Sequence, residues 1–533
     1  MSEEKKKTLK RTFGMREAVT ITVGTVVGVG LFTTGANVVG DLGPAVILAT
    51  LVAMLISIYP SLLYAEMGAA LPYAGGTYQY ASLGIGKPFG MLAGWNFIIS
   101  LVSVTSGEAL AFSFYFKTFF SALGIELPVS DTVVATLIVL VFIVTNVRGI
   151  EMTGKLQNGF MFFFWGVAII WFLMMLPNVN MPNFVQMPDF IAKSTPLSFI
   201  ASVSMIWWCF AGFETCCAMG EEIKYPQINI PRALILAPFI VFAVNSAFQW
   251  FLVGIVPISE ISSLATASAP FAEAMKTAGI LGFPLVLLAA GIAFGGDFST
   301  LNASIAVPPR YLFTMSRDGA MPKVFAKVHP KYQTPYVSII VLGLLSAFLI
   351  ASNSMIYIAS LSLFADLFYY VIGITASLCL RKRHPELKRP FKAPGIMIGA
   401  PISIILYLIM MTQLDKEAMI TGIIWCALGL VIYAVCRSKY KNEVQEDLSG
   451  VIEEENPSPE EKKKMDKEFK IWSIVVACAV VIVLVAYVIP FLIGYLKFSG
   501  ETAWAVTLGD FLSFLYQGLR TLTWKYKHYI IKI

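Results

Sequence analysis

The chain has 533 residues, of which 57% are hydrophobic and 14% are charged, and its mean hydropathy is +0.74. This composition excludes an ordinary soluble domain and indicates a polytopic membrane protein. The formal net charge of +6 does not indicate a nucleic-acid partner, because the cations lie in short loops between apolar runs, where they report orientation in the membrane.

Apolar runs of roughly 17 to 25 residues, each matching one bilayer crossing by a helix, follow one another along the chain. About twelve of them precede residue 440. In chain order they lie at about 17–39, 45–63, 89–116, 133–145, 159–176, 205–220, 233–256, 279–305, 337–351, 356–380, 395–411 and 420–435. The sequence therefore predicts an all-α polytopic membrane protein.

The first run concentrates glycine at its middle, with Gly24, Gly28 and Gly30 close together. Glycine also serves close helix packing in membranes, which is the alternative interpretation. The sixth run places Gly212 two residues before Glu214 at mid-depth. Because a spanning helix tolerates an interruption only where the backbone is buried in protein or lines a cavity, both runs predict broken helices at a binding site inside the membrane.

The basic residues alternate from loop to loop. Counting from a cytoplasmic amino terminus, the loops with Arg148, Lys224, Arg310 and 381–392 fall inside, which is the positive-inside pattern. The basic start, residues 1–14, precedes a full-length run without a cleavage site, so we expect a cytoplasmic tail rather than a signal peptide.

The segment after the twelfth run has a different composition. Residues 441–471 are rich in charge and predict a flexible cytoplasmic linker. Residues 472–496 then form another crossing within a carboxyl-terminal segment, 472–533. The stretch 503–519 contains Asp510 and is either a fourteenth crossing or an interfacial helix, which leaves 13 or 14 spans open.

Catalytic chemistry has little support in this sequence. The three histidines, His329, His384 and His528, all lie outside the apolar runs, and the seven cysteines lack paired metal-ligand spacing. The sequence therefore predicts that the chain is not an enzyme and has no cofactor beyond a coupling ion.

Several motifs occur in an order that resembles the amino acid–polyamine–organocation superfamily of secondary transporters, over about residues 11–439. The motifs are Gly28-Val29-Gly30-Leu31-Phe32, Tyr64-Ala65-Glu66-Met67-Gly68 with Gly75-Gly76, residues 210–232, Pro309-Arg310-Tyr311-Leu312-Phe313 with residues 317–322, and residues 380–385 with Arg389-Pro390-Phe391. Any one of these glycine motifs is weak, whereas the ordered set is specific.

The resemblance implies the leucine-transporter-type fold, with two inverted repeats of five helices. Repeat one would cover about 15–176 and repeat two about 196–380, with helices 11 and 12 at about 395–436 completing a core of 12 helices at 15–440. One or two further helices would follow. The first helix of each repeat is unwound in this fold, which agrees with the breaks predicted from the residues.

The resemblance also implies a site for a zwitterionic amino acid, because half-helix amino termini attract a carboxylate and half-helix carboxyl termini attract an ammonium group. Trp208 falls where the family often places an aromatic gate, although it is also interpretable as a packing residue. The carboxylate would meet the backbone of Val29, Gly30 and Leu31, and the amine would meet carbonyl groups near Phe210 and Ala211 and in the first span. The full set of implied substrate-binding positions is Gly28, Val29, Gly30, Leu31, Phe210, Ala211, Gly212, Trp208 and Glu108.

Four acids, Glu108, Glu214, Asp297 and Asp366, lie within apolar runs, and no lysine or arginine lies at the centre of any run. An acid at mid-membrane costs about 2.5 to 3.5 kcal/mol on insertion scales, so each one is a functional candidate. They are either protonated and hydrogen-bonded, or carriers of coupling protons, or partners of a basic group on the substrate, for which Glu108 is the first candidate. In relatives an acid at the place of Glu214 is linked to proton-dependent release; its alternative role is to brace the break.

The coupling ion stays open at this stage. Many sodium-independent relatives carry a lysine on the fifth span, and the matching position here is Phe164. The sodium site that the resemblance implies would use the carbonyl groups of Gly24, Val27 and Gly296 with the hydroxyl groups of Ser299 and Thr300. A sodium ion, a proton, or exchange without a coupling ion are all consistent with these residues.

The sequence thus predicts a secondary active transporter of amino acids in the cell membrane, with the bilayer and the amino acid as its partners and an undetermined oligomeric state. One alternative is a transporter of cationic amino acids or polyamines. An alternative of another class is an amino acid sensor, or a subunit requiring a partner, with residues 437–533 as its docking element.

Overall fold

The computed structural model describes residues 13–24, 26, 28, 30–72, 75–148, 150–220, 223–440 and 457–498. Within these ranges the regular structure is helical, and the single β-bridge joins Phe13 to Ile223. The all-α class predicted from the sequence is confirmed for this part of the chain.

The α-helices follow one another with short connections. In order they are α1 (Met15–Gly24), α2 (Gly35–Leu42), α3 (Val46–Ala70), α4 (Gly76–Gly84), α5 (Lys87–Ala122), α6 (Asp131–Val147), α7 (Ile150–Met175), α8 (Pro182–Val185), α9 (Met187–Lys193), α10 (Pro196–Trp207), α11 (Thr215–Ala218), α12 (Pro226–Ile255), α13 (Pro270–Thr277), α14 (Phe283–Gly291), α15 (Phe298–Ala306), α16 (Pro308–Arg317), α17 (Tyr336–Ile350), α18 (Met355–Arg383), α19 (Ile396–Met411), α20 (Lys416–Lys439) and α21 (Pro459–Phe498).

Nine helical stretches within the described ranges are long and apolar enough to cross a membrane. They are Gly30–Ala70, Lys87–Ala122, Asn158–Asn178, Pro196–Ala218, Pro226–Ile255, Phe283–Arg317, Met355–Arg383, Lys416–Lys439 and Pro459–Leu492. Three apolar helices, α6, α17 and α19, are shorter. The first stretch joins two predicted runs, because only the tight turn Gly43–Ala45 separates α2 from α3.

Both predicted breaks are present. After α1 ends at Gly24, helical structure resumes in a π-helical turn at Gly30–Thr34 that leads into α2. After α10, a 3₁₀ turn at Trp208–Phe210 gives way to extended backbone at Ala211. Gly212 then adopts a φ of +95°, a conformation that favours glycine. The glycine positions in the sequence therefore mark real interruptions of the helices.

A third irregularity was not predicted. A π-helical segment, Ile292–Asp297, connects α14 to α15, so this long helix carries a local widening of its hydrogen-bond pattern. Such segments occur frequently at functional sites. Asp297, one of the four predicted membrane acids, is the last residue of this segment.

The helices differ in how far protein surrounds them. The most apolar windows of α5 and α12 are 89% and 78% buried, whereas those of α20 and α21 are 17% and 22% buried. Helices α5 and α12 therefore lie in the middle of the bundle, and α20 and α21 lie at its periphery with their apolar side chains facing outward.

The carboxyl-terminal helix begins earlier than the sequence indicated. Residues 441–456 of the predicted flexible linker lie outside the described ranges, but the charged residues from Pro459 onward are helical and continuous with the crossing predicted at 472–496. Helix α21 packs against α12 and α8. The stretch 503–519 also lies outside the described ranges.

Candidate functional site

A small buried cavity lies where the two interrupted helices meet α5 and α18. The cavity is small, with a volume of about 20 Å³. Its lining comprises Val26, Gly30, Phe97, Ser100, Leu101, Val104, Glu108, Trp208, Ala211, Gly212, Glu214, Asp366 and Tyr369. Both breaks and three of the four predicted acids therefore meet in one place.

Residues of other helices pack closely against the glycines of the break after α1. A Cβ atom at Gly28 would lie 2.0 Å from Oε1 of Glu108 and 2.4 Å from Oγ1 of Thr300, and one at Gly30 would lie 3.3 Å from Cα of Cys209. Real Cβ atoms do not approach as closely as at Gly28, so a side chain there would displace Glu108 and Thr300, and one at Gly30 would require the Cys209 backbone to shift by a few tenths of an ångström. The carboxyl group of α5 and the hydroxyl group of α15 thus lie directly against the unwound backbone.

The backbone beyond this break is already hydrogen-bonded within the chain. The N–H groups of Leu31 and Phe32 donate to the Gly28 carbonyl at 2.9 and 3.0 Å. Val29, which the resemblance also assigns to the substrate carboxylate, lies outside the described ranges. In this conformation the Leu31 N–H group is therefore engaged.

The break after α10 is anchored to α18. The Gly212 N–H group donates to the hydroxyl oxygen of Tyr370 at 3.1 Å, and the Thr215 hydroxyl donates to the Gly212 carbonyl at 2.6 Å. The hydroxyl groups of Tyr369 and Tyr370 both donate to the carboxylate of Glu214, which is 1% exposed. One hydrogen-bond system thus joins the unwound backbone, the acid and α18.

Asp366 belongs to a second polar group on the same helix. The Ser100 hydroxyl donates to Oδ1 of Asp366 at 2.5 Å, and the Ser362 hydroxyl lies 3.4 Å from Oδ2. The indole N–H of Trp208 donates to the Ser362 hydroxyl oxygen at 3.0 Å. Trp208 therefore lines the cavity, as the gate hypothesis requires, and is also fixed by packing and a hydrogen bond.

The fourth acid, Asp297, lies beside Glu108 at the end of the π-helical segment. It is fully buried and does not line the cavity directly. The structure thus divides the four acids into two that are held by hydroxyl groups of α5 and α18, and two that face each other.

Residues of the implied sodium site are partly assembled. The Thr300 hydroxyl lies 3.1 Å from the Gly24 carbonyl and 3.4 Å from the Gly296 carbonyl, and Ser299 is buried on the same helix. Val27 lies outside the described ranges. Hydroxyl and carbonyl oxygens are ligands that suit a hard cation, so these residues are chemically compatible with sodium.

Phe164, which the sequence analysis matched to the lysine of sodium-independent relatives, has aromatic surroundings. Its ring packs edge-on against Phe32, with centroids 5.4 Å apart, and lies 5.9 Å from Phe248. A Cβ atom at Gly295 would lie 2.8 Å from Cβ of Phe164. A lysine ammonium at this position would meet an apolar wall.

The sequence analysis missed Tyr369 and Tyr370, although a signal was present. Ser362, Asp366, Tyr369 and Tyr370 follow each other at spacings of four, three and one, which places them along one side of an otherwise apolar helix. A polar stripe of this kind on a spanning helix predicts contact with a polar partner rather than with lipid.

A second missed cluster lies away from the cavity, at the end of α3. The carboxylate of Glu66 accepts hydrogen bonds from Nε of Arg381 at 2.8 Å and from the Ala393 N–H group at 2.8 Å, and Nε of Arg389 lies 3.3 Å away. A terminal nitrogen of Arg381 also contacts it. Two motifs that the sequence analysis quoted separately therefore meet in one ion-pair cluster.

Sequence comparison with known proteins identifies a family and several relatives. The family model described as amino acid permease matches residues 13–436. The branched-chain amino acid permease BcaP of Bacillus subtilis is 25% identical over 452 residues, covering 81% of this chain and 94% of the relative. The methylthioribose transporter of the same organism is 25% identical and covers 82% and 96%. The branched-chain amino acid permease BcaP of Lactococcus lactis is 25% identical and covers 80% and 95%.

The family match spans most of the chain and ends before α21, so the carboxyl-terminal helix is an addition to the shared core. The relatives named here are permeases and transporters. The chain therefore belongs to the amino acid permease family and is a membrane transporter, not an enzyme.

Proposed function

We propose that this chain is a secondary active transporter that carries neutral amino acids across the cell membrane by alternating access. The proposal includes the leucine-transporter-type arrangement of two inverted repeats in a core of 12 helices, with the amino terminus in the cytoplasm. The family membership supports the class of activity, and the positive-inside pattern of the loops supports the orientation.

The observation that carries the proposal is the meeting of two broken helices in one buried cavity, where Gly30, Ala211 and Gly212 contribute backbone to the lining. Unwound helices at mid-membrane offer N–H groups to a carboxylate and carbonyl groups to an ammonium ion, which are the two ends of every amino acid. A backbone site of this type recognises the shared part of the substrate and leaves the side chain to the cavity wall.

The cavity wall favours an apolar side chain. Val26, Phe97, Leu101 and Val104 line it, together with the ring of Trp208. Such a wall is chemically suited to a branched or aromatic side chain through burial of apolar surface, and the cavity has to widen from this conformation to admit one. Two relatives that are named as branched-chain amino acid permeases agree with this assignment.

A second substrate class is favoured by a different observation. Glu108, Glu214 and Asp366 line the cavity, and no lysine or arginine is among the described residues of its lining. A cationic amino acid or a diamine would neutralise this charge. The hydroxyl donors on Glu214 and Asp366 weigh against it, because those acids already have partners.

The experiment is uptake of labelled amino acids into liposomes that contain the purified protein. L-leucine, L-phenylalanine, L-lysine and putrescine are compared under a sodium gradient, under a pH gradient and after preloading with unlabelled substrate. We expect accumulation of L-leucine. Uptake of L-lysine or putrescine in its place would establish the cationic class, and uptake of none of the four above protein-free liposomes would contradict the transport proposal.

Two glycine variants provide a matched pair for this assay. Gly28→Ala places a Cβ atom onto the Glu108 carboxyl and the Thr300 hydroxyl, whereas Gly166→Ala on α7 meets nothing within 4 Å. We expect Gly28→Ala to lower uptake on the order of 100-fold, the cost of displacing a binding geometry by about 1 Å. Gly166→Ala should transport at the rate of the unmodified protein, and equal rates in both variants would contradict a role for the first break.

A further inference from the structure

Glu108 and Asp297 bring two carboxyl groups together between the cavity and the π-helical segment before α15. Glu108 lines the cavity from α5, and its Oε1 atom lies against the unwound backbone at Gly28. Asp297 lies behind it, fully buried, near enough for the two carboxyl groups to share a hydrogen bond. The pair therefore connects the cavity to the interior of the protein.

Asp297 lacks a donor that would stabilise its charge. Neither of its carboxylate oxygens receives a hydrogen bond from an N–H or O–H group within the part of the chain that the structure describes. A carboxylate that is buried without such donors loses its hydration, and this loss costs roughly several kcal/mol even after the protein has relaxed around the ion. Its neighbour Glu108 can supply the missing donor only when a proton lies between the two acids.

The other groups around Asp297 do not change this balance. From α5, the Tyr115 side chain also faces it, but the Tyr115 hydroxyl donates to the Phe32 carbonyl at 2.7 Å. The two glycines before Asp297 pack against aromatic residues: Gly295 lies against Cβ and the backbone of Phe164 on α7, and Gly296 lies against the ring of Phe32. Neither Tyr115 nor these two phenylalanines carries a positive charge, so none of the three neutralises the Asp297 carboxylate.

We propose that Glu108 and Asp297 form a single proton-binding site in which the two carboxyl groups share one proton. Two carboxylates in contact cannot both be ionised without a large repulsion, and a shared proton removes one charge and supplies the hydrogen bond that Asp297 lacks.

The position of Glu108 links this proton to the substrate, a step that rests on the transport function proposed above. A substrate carboxylate at the break after α1 would lie beside Glu108, and a negative charge there favours a protonated pair. Substrate and proton should therefore bind together, and a pH gradient that is acidic outside should drive accumulation.

The pair itself is tested without any substrate. Infrared difference spectra of the purified protein between acidic and alkaline buffer record the carbonyl stretch of each carboxyl group that gains a proton. Among the titrating bands, we expect one that is lost both in Glu108→Gln and in Asp297→Asn, because a shared proton needs both groups. Asp366→Asn, which removes an acid held by serine hydroxyls, should keep that band.

A titrating band that survives unchanged in either variant would contradict the proposal of a shared proton. Two separate bands, of which each variant removes only one, would also contradict it. Both variants replace a carboxyl by an amide of nearly the same size, and if one of them fails to purify as a folded protein, the other carries the same test.

The link to transport is tested separately with L-leucine. In liposomes, the unmodified protein should accumulate L-leucine under the pH gradient, while Asp297→Asn should lose this accumulation and keep exchange with preloaded L-leucine. Accumulation that follows a sodium gradient and ignores pH would overturn the proton assignment. A lack of any L-leucine uptake by the unmodified protein would contradict the proposed function and leave the infrared result as the test of the pair.

Discussion

Two buried acids, Glu66 and Glu214, are equally hidden from solvent but have opposite kinds of partner. Glu66, 3% exposed, faces the guanidinium groups of Arg381 and Arg389. Glu214, 1% exposed, accepts hydrogen bonds from the hydroxyl groups of Tyr369 and Tyr370. The first acid is matched by full positive charges at the end of the bundle, and the second is matched by neutral donors beside the cavity.

The Glu66 cluster is therefore a structural ion pair, whereas the Glu214 carboxyl can change its protonation state. Removal of one partner from an ion-paired cluster leaves an unmatched buried charge, which the fold must bear at all times. A carboxyl group held by hydroxyls can gain or lose a proton while the same hydroxyls rotate to donate or accept. The comparison predicts that changes at Glu66 affect stability and changes at Glu214 affect transport.

The largest effect on stability is expected for Glu66→Gln. The amide cannot neutralise Arg381 and Arg389, and loss of one partner of a buried ion pair costs about 3–5 kcal/mol. We expect the low end of that range, because 19% of the Arg381 side chain is exposed. Thermal unfolding in detergent, followed by tryptophan fluorescence, measures the loss. Glu417→Gln, an exposed acid on α20, is the control and should unfold like the unmodified protein.

Glu214→Gln should show the reverse pattern. The amide oxygen still accepts a hydrogen bond from one tyrosine, so we expect the free energy of unfolding to fall by no more than about 1 to 2 kcal/mol. Transport should drop on the order of tenfold or more, because the acid can no longer change its charge during the cycle. Parallel unfolding and uptake measurements check this split, and a loss of stability as large as that of Glu66→Gln would contradict the comparison.

The two tyrosines should differ in importance. Tyr370 both donates to Glu214 and accepts from the Gly212 N–H group, whereas Tyr369 makes only the bond to the acid among those observed here. Tyr370→Phe removes two hydrogen bonds, each worth about 1 kcal/mol, and Tyr369→Phe removes one. The ratio of uptake rate to half-saturating concentration should therefore fall several-fold further in Tyr370→Phe. Equal losses would show that the bond to Gly212 does not matter.

The smallest effect is expected at Asp318, a half-buried acid beyond the end of α16. Burial raises the pKa of the Asp318 carboxyl above its ordinary value of 3.8, although the Gln79 amide donates to it at 3.2 Å. An acid whose pKa is raised by folding contributes stability that is complete below the unfolded pKa and is lost as the pH rises through the folded value. Asp318→Asn should therefore gain stability relative to the unmodified protein between about pH 4 and neutral pH. Unfolding curves at several pH values measure this gain, and a constant difference would contradict it.

The sequence predicted the broken helices because backbone interruption depends on local residues. Glycine clusters and a glycine close to an acid weaken a helix wherever the chain later folds, and the structure has breaks at both predicted places. The partners of the acids could not be predicted in the same way. Tyr370 is 156 residues from Glu214, and Arg381 is 315 residues from Glu66, so only tertiary packing joins them.

The start of α21 was missed for a different reason. Its charged first turns were interpreted as a flexible linker, although a local signal was present. The Glu461 carboxylate accepts from the Ser458 N–H group at 3.0 Å, and the Ser458 hydroxyl oxygen accepts from the Glu461 N–H group at 3.3 Å, which is a capping box. The Ser-x-x-Glu spacing marks a helix start even in a highly charged segment.

Helix α21 also has a mechanical consequence. Its 40 residues extend about 60 Å, twice the thickness of the hydrocarbon core, so its charged end projects well beyond the bilayer. Two hydrogen bonds join α21 to α12. Arg232 donates to the Asp466 carboxylate near the charged end, and the Trp250 indole N–H donates to the Ala486 carbonyl within the apolar part. A tilt of α12 by about 10° would therefore sweep the projecting end through roughly 10 Å over such a length. A spectroscopic label at the projecting end would therefore move much further than the part of α12 inside the membrane, so its displacement would report a small tilt of α12.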